Sequence, residues 1–215
     1  HILLFVSTRG LMASLNEMSR SFSNTSISDS FRLPRSKSKL SLKLVELNSQ
    51  DTLDFRVQAV DLCHGEERCL SLWHDVPLAS QDIPGCFNFV CEIPKCTRKK
   101  YEIATNEGDN PIKQDEKKGS LRVFKKGDIY FNYGCFPRTW EDPDFIHHDL
   151  KSEGVGGDND PLDVCEIGLR IINVGEVRPV KVLGVLCMID DGEADWKVIV
   201  IDAEDRWAPE LNDVG

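Results

Sequence analysis

Three aspartates stand within six residues of one another, at Asp158, Asp160 and Asp163, in a run that reads GGDNDPLD. In an extended segment Asp158 and Asp160 project to the same side, and Pro161 fixes a turn that can bring Asp163 round to them. Carboxylates this close repel one another unless a cation lies among them. The cluster is therefore either exposed to water or a binding site for a hard divalent metal.

A second acidic turn, Asp190-Asp191-Gly192-Glu193-Ala194-Asp195-Trp196-Lys197, joins two apolar segments. Two acidic turns at the ends of strands can face the same opening in the fold. A calcium-binding EF-hand loop is the competing interpretation of the first cluster. Counted from Asp158, that loop fails at three positions, since Leu162 stands fifth, Asp163 replaces the required Gly, and Leu169 replaces the bidentate Glu.

Opposite charges gather in separate stretches of the chain. From Lys95 to Lys126, ten Lys and Arg residues stand against five Asp and Glu, a net charge of +5. From Glu141 to Glu166, nine acids stand against one Lys, a net charge of −8. This pattern suits a site where a divalent metal bridges carboxylates to a phosphate. On charge counts alone, however, two stretches of solvated surface are the preferred interpretation.

Composition limits the class of protein. The 215 residues are 40% hydrophobic, which indicates one globular domain plus a tail. A formal net charge of −10 argues against nucleic acid or an anionic membrane as the main partner. The apolar runs are shorter or more interrupted than the roughly 20 residues of a bilayer span. The eight cysteines include no CxxC pair, which predicts reduced thiols in an intracellular protein, four of them buried, at Cys91, Cys135, Cys165 and Cys187.

Residues 1–40 differ from the rest of the chain. They begin with His1, are rich in Ser and Arg, and carry a net charge of +4. Such a segment predicts either a mitochondrial or plastid transit peptide or a disordered tail that carries no targeting signal. The folded domain is expected to cover residues 41–215.

Alternating apolar and polar residues predict strands over 53–59, 87–93, 120–124, 164–167, 176–189 and 196–201. The first two are expected to be half-buried, and the nearly continuous apolar stretch 176–189 is expected to be buried on both sides. No amphipathic helix of ordinary length is visible. Many short strands separated by turn signals indicate a mainly β fold, either a closed or a partly open barrel.

The segment from Asp158 to Val164 resembles the signature of the family I soluble inorganic pyrophosphatases. Further blocks resemble the eukaryotic branch of that family in the same order: Glu92-Ile93-Pro94, Lys118-Gly119, Asn132-Tyr133-Gly134, Thr139-Trp140-Glu141-Asp142-Pro143 and Asp195-Trp196-Lys197. The resemblance covers about residues 52 to 213. It implies a five-stranded OB-like barrel with long loops that dimerises and hydrolyses pyrophosphate to two phosphates with several Mg²⁺ ions.

The resemblance also implies a role for each matching residue. Asp160 would orient or deprotonate the attacking water, and Glu92 would lie at the edge of the same cavity. The implied metal ligands are Asp158, Asp160, Asp163, Asp190, Asp195 and Glu102. The implied phosphate-binding residues are Lys100, Arg122, Tyr133 and Lys197, of which the first three act with Asp160 in catalysis.

The chain departs from the family pattern at two points. It stops at Gly215, before a strand with a phosphate-binding Tyr-Lys pair and the C-terminal helix, so the domain is expected to be incomplete there. Where the family has a Tyr four residues before Tyr133, this chain has Ile129, with Tyr130 one place later and so on the other face of a strand. The adjacent histidines, His147 and His148, are expected to be solvated and receive no role.

Three functions stay open at this point. The first is a working Mg²⁺-dependent pyrophosphatase in the cytoplasm or, after import, in an organelle. The second is a catalytically weak relative kept as an interaction or regulatory subunit, which the missing segment favours. The third is a calcium-binding β-module, which leaves Lys100, Arg122 and Lys197 without a purpose.

Overall fold

The computed structural model describes residues 4–6, 42–61, 67–147, 150–151 and 153–213. In this part of the chain there are thirteen strands and no helix, which confirms the predicted mainly β class. The strands are β1 (Leu4–Val6), β2 (Leu42–Leu47), β3 (Arg56–Asp61), β4 (Arg68–Leu70), β5 (Phe87–Ile93), β6 (Tyr101–Ile103), β7 (Ile112–Gln114), β8 (Glu116–Lys117), β9 (Ser120–Leu121), β10 (Asn132–Cys135), β11 (Asp163–Glu166), β12 (Val177–Asp190) and β13 (Glu193–Asp202).

Five strands form a ring of hydrogen-bonded neighbours. β12 pairs with β13, β13 with β11, β11 with β10, β10 with β5, and β5 pairs back to β12. The ring returns to its start because β12 is 14 residues long, so that Val177–Val180 pair with β5 while Val180–Asp190 pair with β13. This is the strand arrangement of a five-stranded barrel.

A second sheet packs against this ring. Its order is β2-β3-β7-β6, and β4 also pairs with β3. The two largest hydrophobic cores of the described residues both include residues of β5: Phe89 and Cys91 belong to one core, whereas Val90 and Ile93 belong to the other. The prediction that the strands over 53–59 and 87–93 are both half-buried is therefore wrong: β5 is buried from Phe89 to Ile93, because the two cores together cover both of its faces, and β3 is buried from Val57 to Val60.

Three predicted strands differ from the structure in their extent or in their burial. β3 begins at Arg56 rather than at residue 53, and Leu53 is 45% exposed, because a turn with Asp51 in a left-handed conformation precedes the strand. The predicted strand 120–124 is regular only in β9, after which Val123 makes an isolated bridge to Lys99. The prediction that 176–189 is buried on both sides is wrong for most of β12: the side chains of Val180, Leu183, Val185 and Cys187 are buried, but most of the others are half-buried.

The thiols behave as predicted where the structure describes them. The seven cysteines in the described ranges are reduced thiols, and Cys91, Cys135, Cys165 and Cys187 are buried. Of the leader 1–40, only Leu4–Val6 is described, as a strand paired with β12; the remainder lies outside the described residues, so its role stays a prediction. Among the described residues, no helix has the length and apolar character needed to cross a membrane.

Candidate active site

One cavity of about 510 Å³ brings together side chains from the barrel and from the second sheet. All of the residues singled out from the sequence line it: Glu92, Lys100, Glu102, Arg122, Tyr133, Asp158, Asp160, Asp163, Asp190, Asp195 and Lys197. These positions are spread over more than 100 residues of sequence, so their convergence is a property of the fold.

Strand register places the acidic residues of the two turns together. β11 and β13 run parallel, and Asp163 at the start of β11 pairs with Lys197. Asp195 lies two residues before Lys197 on β13 and so points to the same face. The turn that precedes it holds Asp191 and Gly192 at positive φ, as in the two-residue hairpin turns that match strand twist. The sheet therefore aligns the second acidic turn with the first cluster.

Four carboxylates form the tightest group in the cavity region. Oxygen atoms of Glu141, Asp158, Asp163 and Asp195 all lie within 4.8 Å of one another. Glu141 is 2% exposed, and its Oε1 accepts a hydrogen bond from the backbone N–H of Trp196 at 3.1 Å. Its Oε2 is buried without a hydrogen-bond partner among the described residues. An all-oxygen donor set with an unsatisfied buried carboxylate oxygen fits a hard divalent cation.

The sequence interpretation missed Glu141, which had appeared only as part of a family block. Two backbone hydrogen bonds bring it to the cluster, from Asn159 N to Glu141 O at 2.9 Å and from Glu141 N to Asp160 O at 2.9 Å. A glycine is also required at position 157, because a Cβ atom there would lie 2.4 Å from the carbonyl carbon of Glu141. This close antiparallel approach leaves no periodic signal in the sequence.

Burial makes the carboxylates unfavourable as anions. It raises the pKa of Glu141 well above its ordinary value, and the charge of Asp158 adds to this effect. Burial and the neighbouring Asp163 raise the pKa of Asp160, and burial also raises the pKa of Asp163. A bound proton or a bound cation relieves this cost.

Lys197 supplies one positive charge to the cluster. Its ammonium group donates hydrogen bonds to both Asp163 and Asp195. Although burial disfavours the charged form, these two carboxylates raise the pKa of Lys197 above its ordinary value. The same ammonium group lies 5.5 Å from the centre of the Tyr133 ring. Burial, and after it the charge of Asp163, raises the pKa of the Tyr133 phenol well above its ordinary value, so the phenol stays protonated beside this carboxylate.

The part of the cavity lining next to β6 and β9 forms a cationic wall with Lys100 and Arg122, and Asp115 organises it. Lys100 Nζ lies 2.8 Å from Asp115 Oδ2, and Arg122 donates to the same oxygen. Asp115 is 7% exposed and was not selected from the sequence, where it is one acid in a basic stretch. It holds the two cations side by side at the cavity wall.

Two further acids, Glu92 on β5 and Glu102 on β6, also line the cavity. Burial, followed by the charge of Asp163, raises the pKa of Glu92 to about 8. Its Oε1 accepts a hydrogen bond from the backbone N–H of Ile103 at 2.7 Å, which ties β5 to β6. On β6, burial and the charge of Asp115 raise the pKa of Glu102, whose carboxylate lies 3.8 Å from Lys100 Nζ.

Other residues considered from the sequence lie outside the cavity lining. Tyr130 is 90% exposed, whereas Ile129 packs against the second core. The ring of His147 is half-buried and lies edge-on to Trp196, with centroids 5.0 Å apart, so the expectation that it is solvated is wrong; His148 lies outside the described residues. The Trp140 indole N–H donates to Asn159 Oδ1 at 3.0 Å, which braces the loop that carries Asp158 and Asp160.

The family model and the curated relatives that match this chain all point to the same protein family. The family model described as inorganic pyrophosphatase matches residues 89–215. The inorganic pyrophosphatase of Candida albicans is 45% identical over 173 residues, which are 79% of this chain and 58% of that protein. The chloroplastic soluble inorganic pyrophosphatase 6 of Arabidopsis thaliana is 46% identical over 173 residues, 80% of this chain and 55% of that protein.

Solved structures agree with the sequence relatives. The N-terminally truncated vacuolar soluble pyrophosphatase of Trypanosoma cruzi, in complex with PPi, matches with a TM-score of 0.77 and 42% identity over 88% of this chain and 74% of that one. The chain spans about 58% of the length of the curated relatives it matches first. Because the family model covers more than half of the chain, the chain belongs to the inorganic pyrophosphatase family.

Proposed function

We propose that this protein hydrolyses inorganic pyrophosphate to two phosphates. The observation that carries the proposal is the division of one cavity into a carboxylate wall, with Asp158, Asp163 and Asp195, and a cationic wall, with Lys100 and Arg122. A small, highly charged anion that is bound together with divalent metal needs both walls at once.

The carboxylate wall would hold Mg²⁺, with Asp158, Asp163 and Asp195 as the central ligands. Asp160, Asp190 and Glu102 complete the proposed set around the cavity. Bound Mg²⁺ neutralises substrate charge and lowers the pKa of a coordinated water. Glu141 adds its unpartnered oxygen to the negative charge that attracts the cation.

The cationic wall binds and orients the substrate. Lys100 and Arg122 donate hydrogen bonds to phosphoryl oxygens, and the shared carboxylate of Asp115 keeps both side chains in place before substrate arrives. Lys197 and the phenol of Tyr133 contact phosphoryl oxygens from the other side. These donors stabilise the negative charge that develops on the leaving phosphate.

Asp160 takes the proton of the attacking water. The water oxygen forms a new bond to one phosphorus atom, the bridging P–O bond breaks, and the departing phosphate keeps that electron pair. Burial and the charge of Asp163 raise the pKa of Asp160, which makes this carboxylate a better proton acceptor than an exposed aspartate.

The test is phosphate release from pyrophosphate with Mg²⁺, for the wild type, Asp160→Asn and the control Asp144→Asn, whose side chain is in an exposed turn. We expect turnover in the wild type and the control, and a loss of at least about 100-fold in Asp160→Asn. If the wild type and both variants bind pyrophosphate but none of them releases phosphate, the result would instead support a function as an interaction or regulatory subunit. Metal binding without any affinity for pyrophosphate would support the calcium-binding module.

A homodimer and an organellar location belong to the same proposal. The dimer is implied by the family resemblance and is tested by analytical ultracentrifugation across a range of concentrations. Import is supported by the Ser- and Arg-rich composition of residues 1–40 and by the chloroplastic relative. A fluorescent fusion of residues 1–40, followed in plant and animal cells, distinguishes a transit peptide from a tail without an address.

A further inference from the structure

The substrate must approach a protein of the same charge sign. The chain carries a net charge of −10, and the metal side of the cavity adds a dense group of carboxylates. Pyrophosphate and its magnesium complexes are anions. At long range such a substrate is repelled by most of the surface, so productive encounters require a locally positive route into the cavity.

A small basic hairpin stands at the cationic wall. Strands β8 and β9 pair through Glu116↔Leu121 and Lys117↔Ser120. The next pair towards the protein joins Arg122 N to Asp115 O at 2.8 Å, so the hairpin grows directly out of the residues that organise this wall. Lys117 and Lys118 lie two and three residue positions beyond Asp115, so their backbone atoms are about 7 to 10 Å from this base of the hairpin.

The charges of the hairpin tip are available to solvent. Lys117 and Lys118 are exposed, and neither has an ion pair with another residue in the described part of the chain. Glu116 points to the opposite side of the hairpin from Lys117, and its charge acts on Arg56. The tip therefore presents two unneutralised cations beside the cavity.

The turn at the hairpin tip holds Lys118 in a backbone conformation that is unfavourable for lysine. Lys118 and Gly119 have φ values of 56° and 74°, the pattern of a two-residue hairpin turn that favours Asn-Gly. A lysine in the left-handed region costs on the order of 1 kcal/mol relative to residues that adopt it readily. Asn at position 118 would serve the backbone better, but it would remove the charge.

We propose that Lys117 and Lys118 form an electrostatic entry rim that steers the pyrophosphate anion to Arg122 and Lys100. The inference rests on the proposed hydrolysis of pyrophosphate and assigns these lysines to substrate capture, without contact with the reacting atoms. Such steering raises the association rate and falls steeply with ionic strength.

The test compares Lys117→Gln/Lys118→Asn with the wild type at constant free Mg²⁺, in about 0.01 M and about 0.15 M salt. Two charges about 10 Å from a dianion predict a fall in kcat/KM of about sevenfold at the lower and about twofold at the higher ionic strength. We expect kcat to stay unchanged, because the rim attracts the bound substrate and the transition state about equally.

The matched control is Lys43→Gln, compared with Lys117→Gln alone. Lys43 is exposed on β2, three strand spacings or about 14 Å from β6 across the second sheet. Equal losses in the two single variants would overturn the steering role. So would an unchanged kcat/KM at both salt concentrations, or a loss of kcat with an unchanged salt dependence.

A binding readout separates this inference from the proposed hydrolysis. Calorimetry with imidodiphosphate, in which nitrogen replaces the bridging oxygen, measures anion capture without turnover. Salt-dependent binding that weakens in Lys117→Gln/Lys118→Asn supports the entry rim even if the wild type releases no phosphate. Equal imidodiphosphate binding by the wild type and the variant at both salt concentrations would contradict the entry rim alone.

Discussion

The ammonium group of Lys100 lies 2.8 Å from the carboxylate of Asp115, and the guanidinium of Arg122 donates to the same oxygen. A buried acid thus fixes two cations that lie on different segments of the second sheet region. Without that acid, both side chains would repel each other and swing into solvent, because the anion they are proposed to bind is absent until substrate arrives.

Asp115→Asn therefore weakens substrate binding more than folding. We expect KM for pyrophosphate to rise and kcat/KM to fall about 10-fold to 100-fold, because Asn keeps the shape of Asp but removes the charge that holds both cations. Steady-state phosphate release measures both constants. Asp128→Asn is the control, since it removes an exposed Asp 3.7 Å from Arg98. Equal kinetics in the two variants would contradict the positioning role of Asp115.

Lys197 acts as the internal counter-ion of the acidic cluster when no divalent cation is bound. Lys197→Gln leaves Asp163 and Asp195 without their positive partner, and all three side chains are less than one-fifth exposed. In EDTA we expect the free energy of unfolding to fall by about 2 to 4 kcal/mol. Urea denaturation measures this change. Added Mg²⁺ should stabilise the variant, and a loss below about 0.5 kcal/mol in EDTA would count against the counter-ion role.

Glu92 makes stability depend on pH. Its pKa is raised from 4.5 to about 8 by burial, so between these values the folded protein binds a proton that the unfolded chain releases. Stability contributed by the protonated carboxyl is therefore lost as pH rises through this window. Glu92→Gln removes the loss and keeps an acceptor for the Ile103 N–H.

The measurement for Glu92 is urea denaturation in EDTA at pH 5, 6, 7 and 8. The unfolding free energy of Glu92→Gln relative to the wild type should increase by at least about 1 kcal/mol from pH 5 to pH 8. Glu67→Gln, at a 63% exposed side chain, is the control and should follow the wild type. If the unfolding free energies of Glu92→Gln and the wild type change in parallel with pH, burial does not raise the pKa of the Glu92 carboxyl.

Gly134 permits the close approach of β10 and β5 beside Tyr133. A Cβ atom at this position would lie 2.0 Å from Val90 O and 2.8 Å from Glu92 N. Gly134→Ala should lower the unfolding free energy by more than about 3 kcal/mol, because backbone must move. Gly108→Ala is the control, since a Cβ atom at Gly108 would have no atom within 4 Å. Thermal denaturation that gives equal losses for both would contradict this packing.

Local spacing was enough to predict the first acidic cluster and the second acidic turn. Asp158, Asp160 and Asp163 are close in sequence, and a turn between two strands necessarily brings its own carboxylates together. The resemblance to the family then added Lys100 and Arg122, which the fold brings to the same cavity. Their roles stay proposals until the variants are measured.

Long-range packing could not be predicted in this way. Glu141 reaches the cluster through backbone contacts with a loop 16 to 19 residues away, and Asp115 is distinguished from neighbouring acids only by its burial. The two-sided burial of β5 was missed for the same reason, because Val90 faces a core supplied by the second sheet. Each of these features depends on which elements pack together, and alternation within a strand carries no information about that.

Hydrolysis in ¹⁸O-labelled water tests the central proposal most directly. During the first turnovers with Mg²⁺, each pyrophosphate consumed should give two phosphates, and one of them should carry a single ¹⁸O atom from water, as read by ³¹P spectroscopy. Asp160→Asn should lose this conversion, while Asp144→Asn keeps it. Persistence of unlabelled pyrophosphate with the wild type, or equal conversion by Asp160→Asn, would contradict hydrolysis by this cavity.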